Sequence, residues 1–300
     1  MEKETASALL APILAPASTF AAALRDRVRG WWEADLADAV PGEGDLSFDR
    51  FTLARWLWGE GHLLPGGDAH VTDLVASAAL GPHSAILDIS AGLGGGPRAI
   101  AQAYDLYVTG LDRDYEAARR GMAASEAAGL AKRAAIARFD PDEFELKPAS
   151  FDCVLGREAT YALQEKERFL RGLVQGLKPR AQLVLTEFTL ASTDATLEVE
   201  AWIEGNDPRP SLWSLAQYAD CLAALACPVQ AAEDMTESYR RLVVSAWERL
   251  LDAVDLKRLS AHHRETVAEE AERGLRLVAA LDSGALRFHR FLAIADKEKG

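Results

Sequence analysis

The spacing of apolar and polar positions changes character at Ala85. Before it, apolar residues recur at helical intervals; after it, short apolar runs alternate with longer amphipathic stretches. Residues 1–40 are alanine-rich and read as helical up to Pro41-Gly42, with Trp31 and Trp32 packing onto the main body. Phe48, Phe51, Leu53, Trp56, Leu57 and Trp58 give Phe48–Gly59 the broad apolar face of a helix. Glu60–Asp68 reads as a loop, and Val71–Leu80 as a helix capped by Asp68 or Thr72. The runs Ala85–Ile89, Leu106–Leu111, Ala134–Phe139, Phe151–Leu155 and Gln182–Leu190 then read as strands, with helices such as Tyr115–Gly129 and Lys166–Leu177 between them. That alternation predicts an α/β fold, a mostly parallel sheet covered by helices on both faces. Ser214–Ala226 reads as a further helix and Val229–Ala232 as a strand. Thr236–Asp282 reads as almost wholly helical, an amphipathic stretch that covers the substrate pocket, and Leu286–Ala295 closes the sheet. The expected organisation is a helical lid region over 1–80, a core over 81–235, a helical cap over 236–283 and a closing strand within 284–300.

The stretch with the clearest chemistry is Ala85–Ala101, AILDISAGLGGGPRAIA. A strand ends in Asp88, a turn with four glycines follows, and a helix starts with Pro97 in its first turn. Glycines admit a close ligand, and the first helical turn presents free N–H groups to it. The plain alternative is a strand–helix turn with surplus glycines. The order is Asp88-x-Ser90-x-Gly92-x-Gly94, not the G-x-G-x-x-G of a dinucleotide site. It resembles the first motif of class I S-adenosylmethionine (SAM) dependent methyltransferases, D-x-G-x-G-x-G, with Ser90 where the first glycine is expected. A serine there crowds the approach to the methionine end of the cofactor. Further acids fall at successive strand ends. Asp112 can accept both ribose hydroxyls of a nucleotide, and can equally cap the helix behind it. Asp140 can receive the adenine amino group, with Pro141 lying against the ring. Arg157 and Glu158 follow the fourth strand, at the mouth of the sheet, where open α/β sheets bind their ligands. SAM is therefore the expected cofactor, in a Rossmann-like class I methyltransferase sheet.

Composition narrows the partner. The formal net charge of −13 argues against nucleic acid, which needs a basic surface, and favours a small neutral or cationic acceptor. There is no lysine–arginine cluster for a membrane surface and no apolar run long enough to span a bilayer. The acidic, proline-broken first residues do not read as a signal peptide. Cys153, Cys221 and Cys227 lack metal-ligand spacing, so no metal is expected, and a reduced cytoplasmic setting is.

A narrower resemblance runs over residues 48–295. WGEGHLLPGG (58–67) resembles the F-G-E-x-x-x-S-x-G-G segment of phosphoethanolamine N-methyltransferases and related small-amine N-methyltransferases. ILDISAGLGGG, GLDRD, VLGREATYAL and LKPRAQLVLTEFT resemble that family's LDIGxGxGGG, GIDxS, IYSRDxILHI and LKPGGxLLITDYC in the same order. The resemblance implies that Asp88, Ser90, Gly92, Gly94, Asp112, Arg113, Asp140, Pro141 and Arg157 bind the cofactor, with Leu63 and Leu64 in a loop closing over it. It also implies that Glu158 stands where the family has an aspartate beside the acceptor amine, and that Phe188 replaces a tyrosine on the substrate side.

The departures are as informative. The family's histidine after strand four aligns with Ala162, and no tyrosine stands near Leu46–Phe48 to pair with it. Of the family's phosphate contacts, Arg209 alone has a counterpart, so a phosphorylated acceptor is not expected. An alkylammonium must lose a proton before its nitrogen can attack, and Glu158 can hold the cation and take that proton. Tyr161 either shapes the pocket or packs on the sheet; His62 is either a base in the closing loop or a solvated histidine. The expected activity is methyl transfer from SAM to a small acceptor, best an amine nitrogen. Transfer to oxygen or sulfur is the first alternative. SAM binding without catalysis is the second, with the acceptor pocket filled by side chains such as Leu64 and Phe188.

Overall fold

A computed structural model describes residues 48–78, 80–192, 195–253 and 259–296, with the single position 26. The helical reading of residues 1–40, with Trp31 and Trp32, lies outside them. Two helices precede the sheet, α1 (Arg50–Trp58) and α2 (Gly67–Val75). The alternating part follows as β1 (Ala85–Asp88), α3 (Gly95–Tyr104), β2 (Tyr107–Asp112), α4 (Tyr115–Ala127), β3 (Ala134–Arg138), β4 (Phe151–Arg157), α5 (Lys166–Gly176) and β5 (Leu177–Leu190). The remainder is α6 (Leu197–Glu204), β6 (Trp213–Ser214), α7 (Leu215–Ala224), β7 (Val229–Asp234), α8 (Thr236–Ala253), α9 (Ala261–Asp282) and β8 (Leu286–Ile294).

The strand order is β3-β2-β1-β4-β5-β8-β7, with short β6 paired to the end of β5. Strands β1 to β5 pair in parallel, and β8 runs antiparallel between β5 and β7. This is the mostly parallel, Rossmann-like sheet that the alternation predicts. Chain order reverses between β1 and β4, so a crevice opens at their carboxyl ends.

Alternate residues of the central strands feed opposite faces of the sheet. Ile86, Val108, Leu155 and Val184 pack with Val71 and Leu74 of α2 and Ile100 of α3. Leu87, Val154, Leu183 and Leu185 pack with Phe169 and Leu173 of α5 and Leu222 of α7. A third apolar cluster lies beyond β5, where Phe188 and Phe288 meet Leu53 and Leu57 of α1, Trp202 of α6, Trp247 of α8 and Leu275 of α9.

Some boundaries differ from expectation, each for a local reason. Helix α2 begins at Gly67, and neither Asp68 nor Thr72 caps it: Asp68 bonds His62, and the Thr72 hydroxyl donates back to the Asp68 and Ala69 carbonyls. The long helical stretch is two helices, because Ser260 caps a fresh start by accepting from His263 N. Helix α6 and strand β6 had no signal strong enough to be read. Helix α1 is tied to the start of α4. Its cap Asp49 pairs with Arg120 at 2.8 Å, Arg50 pairs with Asp114, and both guanidinium groups lie 4.4 Å from the Phe51 ring centre.

Candidate active site

At the end of β1 the chain turns through Ser90–Gly94. Left-handed backbone falls at Gly92 (φ 54°) and Gly94 (φ 76°), not at Ser90, so position 90 does not need a glycine. Ser90 instead ties two strands together. Asp88 Oδ1 accepts from Ser90 N at 2.9 Å and from its hydroxyl at 3.0 Å, and the same hydroxyl accepts from Arg157 N on β4 at 2.8 Å. The Asp112 carboxylate, at the end of β2, closes the turn from the other side. It accepts from Gly92 N at 2.7 Å and from Asp114 N at 2.9 Å, and burial raises its pKa against those hydrogen bonds. Asp114, not Asp112, caps α4.

The loop before α2 closes over this turn. Gly61 O accepts from Gly95 N at 2.9 Å, and the Leu63 side chain lies where a Cβ on Gly92 would touch it at 3.2 Å. Leu64 is partly buried beside it. His62 is not a solvated loop residue. It is 3 % exposed, and its Nε2 bonds Asp68 Oδ1 at 2.6 Å. Burial holds its pKa below the usual value, more strongly than Asp68 raises it. A neutral ring bonded to Asp68 through Nε2–H leaves Nδ1 as an acceptor.

Among the described residues, several buried polar atoms here have no partner: His62 Nδ1, Asp88 Oδ2, and Arg157 Nε and Nη1. The side chains that carry them meet at the N-terminus of α3. A Cβ on Gly96 would sit 3.3 Å from both Asp88 Oδ2 and Arg157 Nη2, and one on Gly95 would sit 2.8 Å from His62 Nε2. Unpaired buried polar groups are costly, and a ligand is one way to satisfy them. The set offers donors to a carboxylate and acceptors to an ammonium, and SAM carries both groups on its methionine end. These residues fit that cofactor. Further out, Asp140 Oδ1 accepts from Asp142 N at 2.9 Å and Pro141 is partly buried. Arg113 is exposed on the β2–α4 turn.

Across the crevice the geometry is set by side chains. Glu158 follows β4 with φ 53°, a left-handed backbone unusual for glutamate, held by a 2.7 Å bond from its N–H to Thr186 O. The next three N–H groups, of Ala159, Thr160 and Tyr161, donate to the Glu187 carboxylate on β5 at 2.8–3.1 Å. The Glu158 side chain meets α8, where the Tyr239 hydroxyl donates to its Oε1 at 2.8 Å. Burial pushes the Glu158 carboxyl up to about 7, and the Tyr239 bond and Arg157 pull it back. Burial likewise raises Glu187, to about 8. Tyr161 makes an edge contact with Phe188 at 5.4 Å and stacks with Trp202 at 5.9 Å, and burial lifts its hydroxyl to about 12. It is thus both a packing residue and a neighbour of Glu158. Phe188 is 2 % exposed, enclosed by Tyr161, Trp202, Tyr239 and Phe288, and so is a core residue. Arg209 is exposed, two residues before Ser211, whose N–H donates to the Tyr161 carbonyl.

Two residues of this half escaped the sequence reading. Glu187 left a signal, a lone acid in an apolar strand. Tyr239 left none, being one more residue on an amphipathic helix.

A methyltransferase domain family matches residues 87–185, which span β1 through most of β5. Residues 87–185 thus carry a methyltransferase domain, and the sheet has the class I methyltransferase fold. The chain resembles phosphoethanolamine N-methyltransferases: it is 24% identical to phosphoethanolamine N-methyltransferase 3 of Arabidopsis thaliana over 233 residues, 73% of this chain and 46% of the relative. It thus spans about half the length of that relative. It is 26% identical over 228 residues to 27-O-demethylrifamycin SV methyltransferase of Amycolatopsis mediterranei, covering 71% of this chain and 84% of that one. Its fold matches Haemonchus contortus phosphoethanolamine N-methyltransferase 2 in complex with phosphomonomethylethanolamine and S-adenosylhomocysteine, at TM-score 0.73, 20% identity, 82% of this chain and 57% of that one. The same Haemonchus contortus enzyme is also solved in complex with S-adenosyl-L-methionine, at TM-score 0.73, 19% identity, 82% of this chain and 57% of that one. Among the described residues no cluster of His, Cys, Asp or Glu has metal-binding geometry, and no helix is long and apolar enough to cross a membrane.

Proposed function

We propose that this chain is a SAM-dependent methyltransferase that methylates the nitrogen of a small amine carrying no phosphate. The observation that carries the reading is Glu158: a half-buried carboxylate at the β4 end of the crevice, held by Tyr239 and pushed up to about 7 by desolvation. When bound, SAM supplies an electrophilic methyl group whose bond to sulfur breaks as the new bond to nitrogen forms, the bonding pair leaving with sulfur. Glu158 holds the incoming ammonium, takes one of its protons, and so frees the nitrogen lone pair for in-line attack. A base near pH 7 suits that task better than an ordinary carboxylate. On the cofactor side, Arg157 holds the SAM carboxylate, Asp88 and His62 receive its ammonium, Asp112 receives the ribose hydroxyls, and Asp140 with Pro141 and Arg113 flanks the adenine. Leu63 and Leu64 keep water out from above. His62 is thereby a cofactor contact, not the base.

The exposed position of Arg209 supports an acceptor without phosphate. Three free thiols, Cys153, Cys221 and Cys227, fit a reducing, cytoplasmic setting. An oxygen acceptor is the second reading, supported by the similarity to an O-methyltransferase over 84% of its length.

Transfer of label from methyl-labelled SAM to a panel of ethanolamine, phosphoethanolamine, amino-acid amines, phenols and thiols tests the assignment. Label is expected on an unphosphorylated amine. Label on phenols alone establishes the oxygen reading, and a requirement for phosphate overturns the present one.

A further inference from the structure

The backbone around Glu158 is fixed from two sides, by its own N–H to Thr186 O and by the Glu187 carboxylate, which receives the three following N–H groups. Its side chain is fixed from one. Among the described residues, the Tyr239 hydroxyl is the hydrogen-bond donor recorded to it, on Oε1, and none is recorded to Oε2. Tyr239 is itself immobilised: it is 3 % exposed, 3.9 Å from the Phe288 ring centre and edge-on to Phe188 at 5.5 Å.

We propose that Tyr239 is the positioning residue of the acceptor site, its hydroxyl clamping Oε1 of Glu158 and leaving Oε2 to the acceptor ammonium. The proposal rests on the amine reading and gives a role to a residue to which the resemblance assigns none. The Tyr–His pair expected from the resemblance is absent on both sides. Here a tyrosine arrives from α8 instead, and it meets the carboxylate directly. A neutral donor on a buried carboxylate favours the charged form, the form able to hold a cation.

The charged and titratable groups that act on the pair come from four elements. Arg157 on β4 favours the Glu158 carboxylate; Glu187 on β5 opposes it; Tyr161 faces it from the loop after β4; Tyr239 closes it from α8. Burial and the neighbouring Glu158 keep the Tyr239 hydroxyl protonated well above its usual range, so it remains a donor at every working pH.

Tyr239→Phe removes the donor and retains the ring that packs on Phe188 and Phe288. The test is a carbon NMR titration of side-chain-labelled glutamate in the protein bound to S-adenosylhomocysteine, with Glu158 identified as the resonance missing from Glu158→Gln. In the unchanged protein that resonance is expected to titrate near neutrality. In Tyr239→Phe it is expected to move up by about one pH unit, the size of one hydrogen bond to a charged group. Affinity for S-adenosylhomocysteine is expected to stay as it was. A titration that does not move in Tyr239→Phe overturns the proposal, and so does a variant whose only change is a lower melting temperature. The titration needs no acceptor, so it stands apart from the label-transfer panel, which tests the amine reading itself.

Discussion

Around the carboxyl ends of β1 and β2, short-range backbone geometry does most of the work. Gly92 and Gly94 take left-handed conformations, Gly96 leaves room beside Asp88 and Arg157 and Gly95 beside Gly61 and His62, and Asp112 fastens the turn through Gly92 N. Around the ends of β4 and β5 the same crevice is shaped by side chains from distant stretches: Glu158, Glu187, Tyr239 and the rings about Phe188. The first half is a cradle written within one βαβ unit. The second exists only once α6, α8 and β8 have docked. The difference suggests a division of labour, in which the local half binds what the fold always binds, and the assembled half selects what this chain acts on.

If that division holds, substitutions in the two halves separate cleanly. The largest effect is expected from Glu158→Gln, which keeps the shape and the Tyr239 contact but removes the base. Turnover should fall by about 10²- to 10⁴-fold, with SAM affinity by calorimetry close to that of the parent. The same variant carries a stability signature. Burial raises the Glu158 carboxyl to about 7 from its usual 4.5, so the folded chain keeps a proton that the unfolded chain has already lost. Stability therefore declines as pH rises between those values, and Glu187, raised to about 8, adds to the decline. Glu158→Gln removes one of the two contributions, so its melting temperature should fall less than the parent's between pH 5 and pH 8. Lost SAM affinity in this variant would break the division.

The second effect belongs to the other half. Asp112→Ala takes away the acceptor of Gly92 N and the group assigned to the ribose. SAM binding should weaken about 10- to 100-fold, the value of one or two hydrogen bonds to a charged group. Turnover at saturating SAM should remain near the parent's. An unchanged dissociation constant would refute the ribose assignment.

The same contrast governs how much was legible beforehand. The strand–turn–helix over Ala85–Ala101 is visible because its physics is local: a short continuously buried run, a glycine turn, and a proline in the first helical turn. The acids at the strand ends follow from position alone. Glu158 was legible through its motif, but its partner was not. Tyr239 lies 81 residues away on a helix whose pattern reports only that one face is apolar. No spacing rule says which residue of that face meets a strand end. His62 was misjudged in environment for a related reason. A histidine in a glycine-rich loop looks solvated until the loop is known to lie on α3, with Gly61 O bonded to Gly95 N. The Thr236–Asp282 stretch looked continuous because charge and apolar spacing persist through it, and only the Ser260 cap reveals a second start.

The smallest expected effect concerns Ser90, the position where sequence and family pattern disagree. Two physical accounts separate there. In one, the serine narrows the methionine end of the cofactor site, and Ser90→Gly should tighten SAM binding at little cost in stability. In the other, favoured by the geometry, the hydroxyl is a strut between strands. It accepts from Arg157 N at 2.8 Å and donates to Asp88 Oδ1 at 3.0 Å. Ser90→Gly then leaves the Arg157 N–H unpaired in a half-buried place, a loss of about 1–3 kcal/mol. Since φ at position 90 is not left-handed, a glycine relieves no strain in return and adds only freedom to the unfolded chain. The melting temperature should drop by about 2–12 °C, using about 2–4 °C per kcal/mol for a chain of this size. SAM affinity should change less than in Asp112→Ala, because Arg157 keeps its guanidinium contact to Ser90 O at 3.4 Å through the main chain. A tighter cofactor with an unmoved melting temperature would make the serine a feature of the cofactor cradle and return β4 to its own hydrogen bonds.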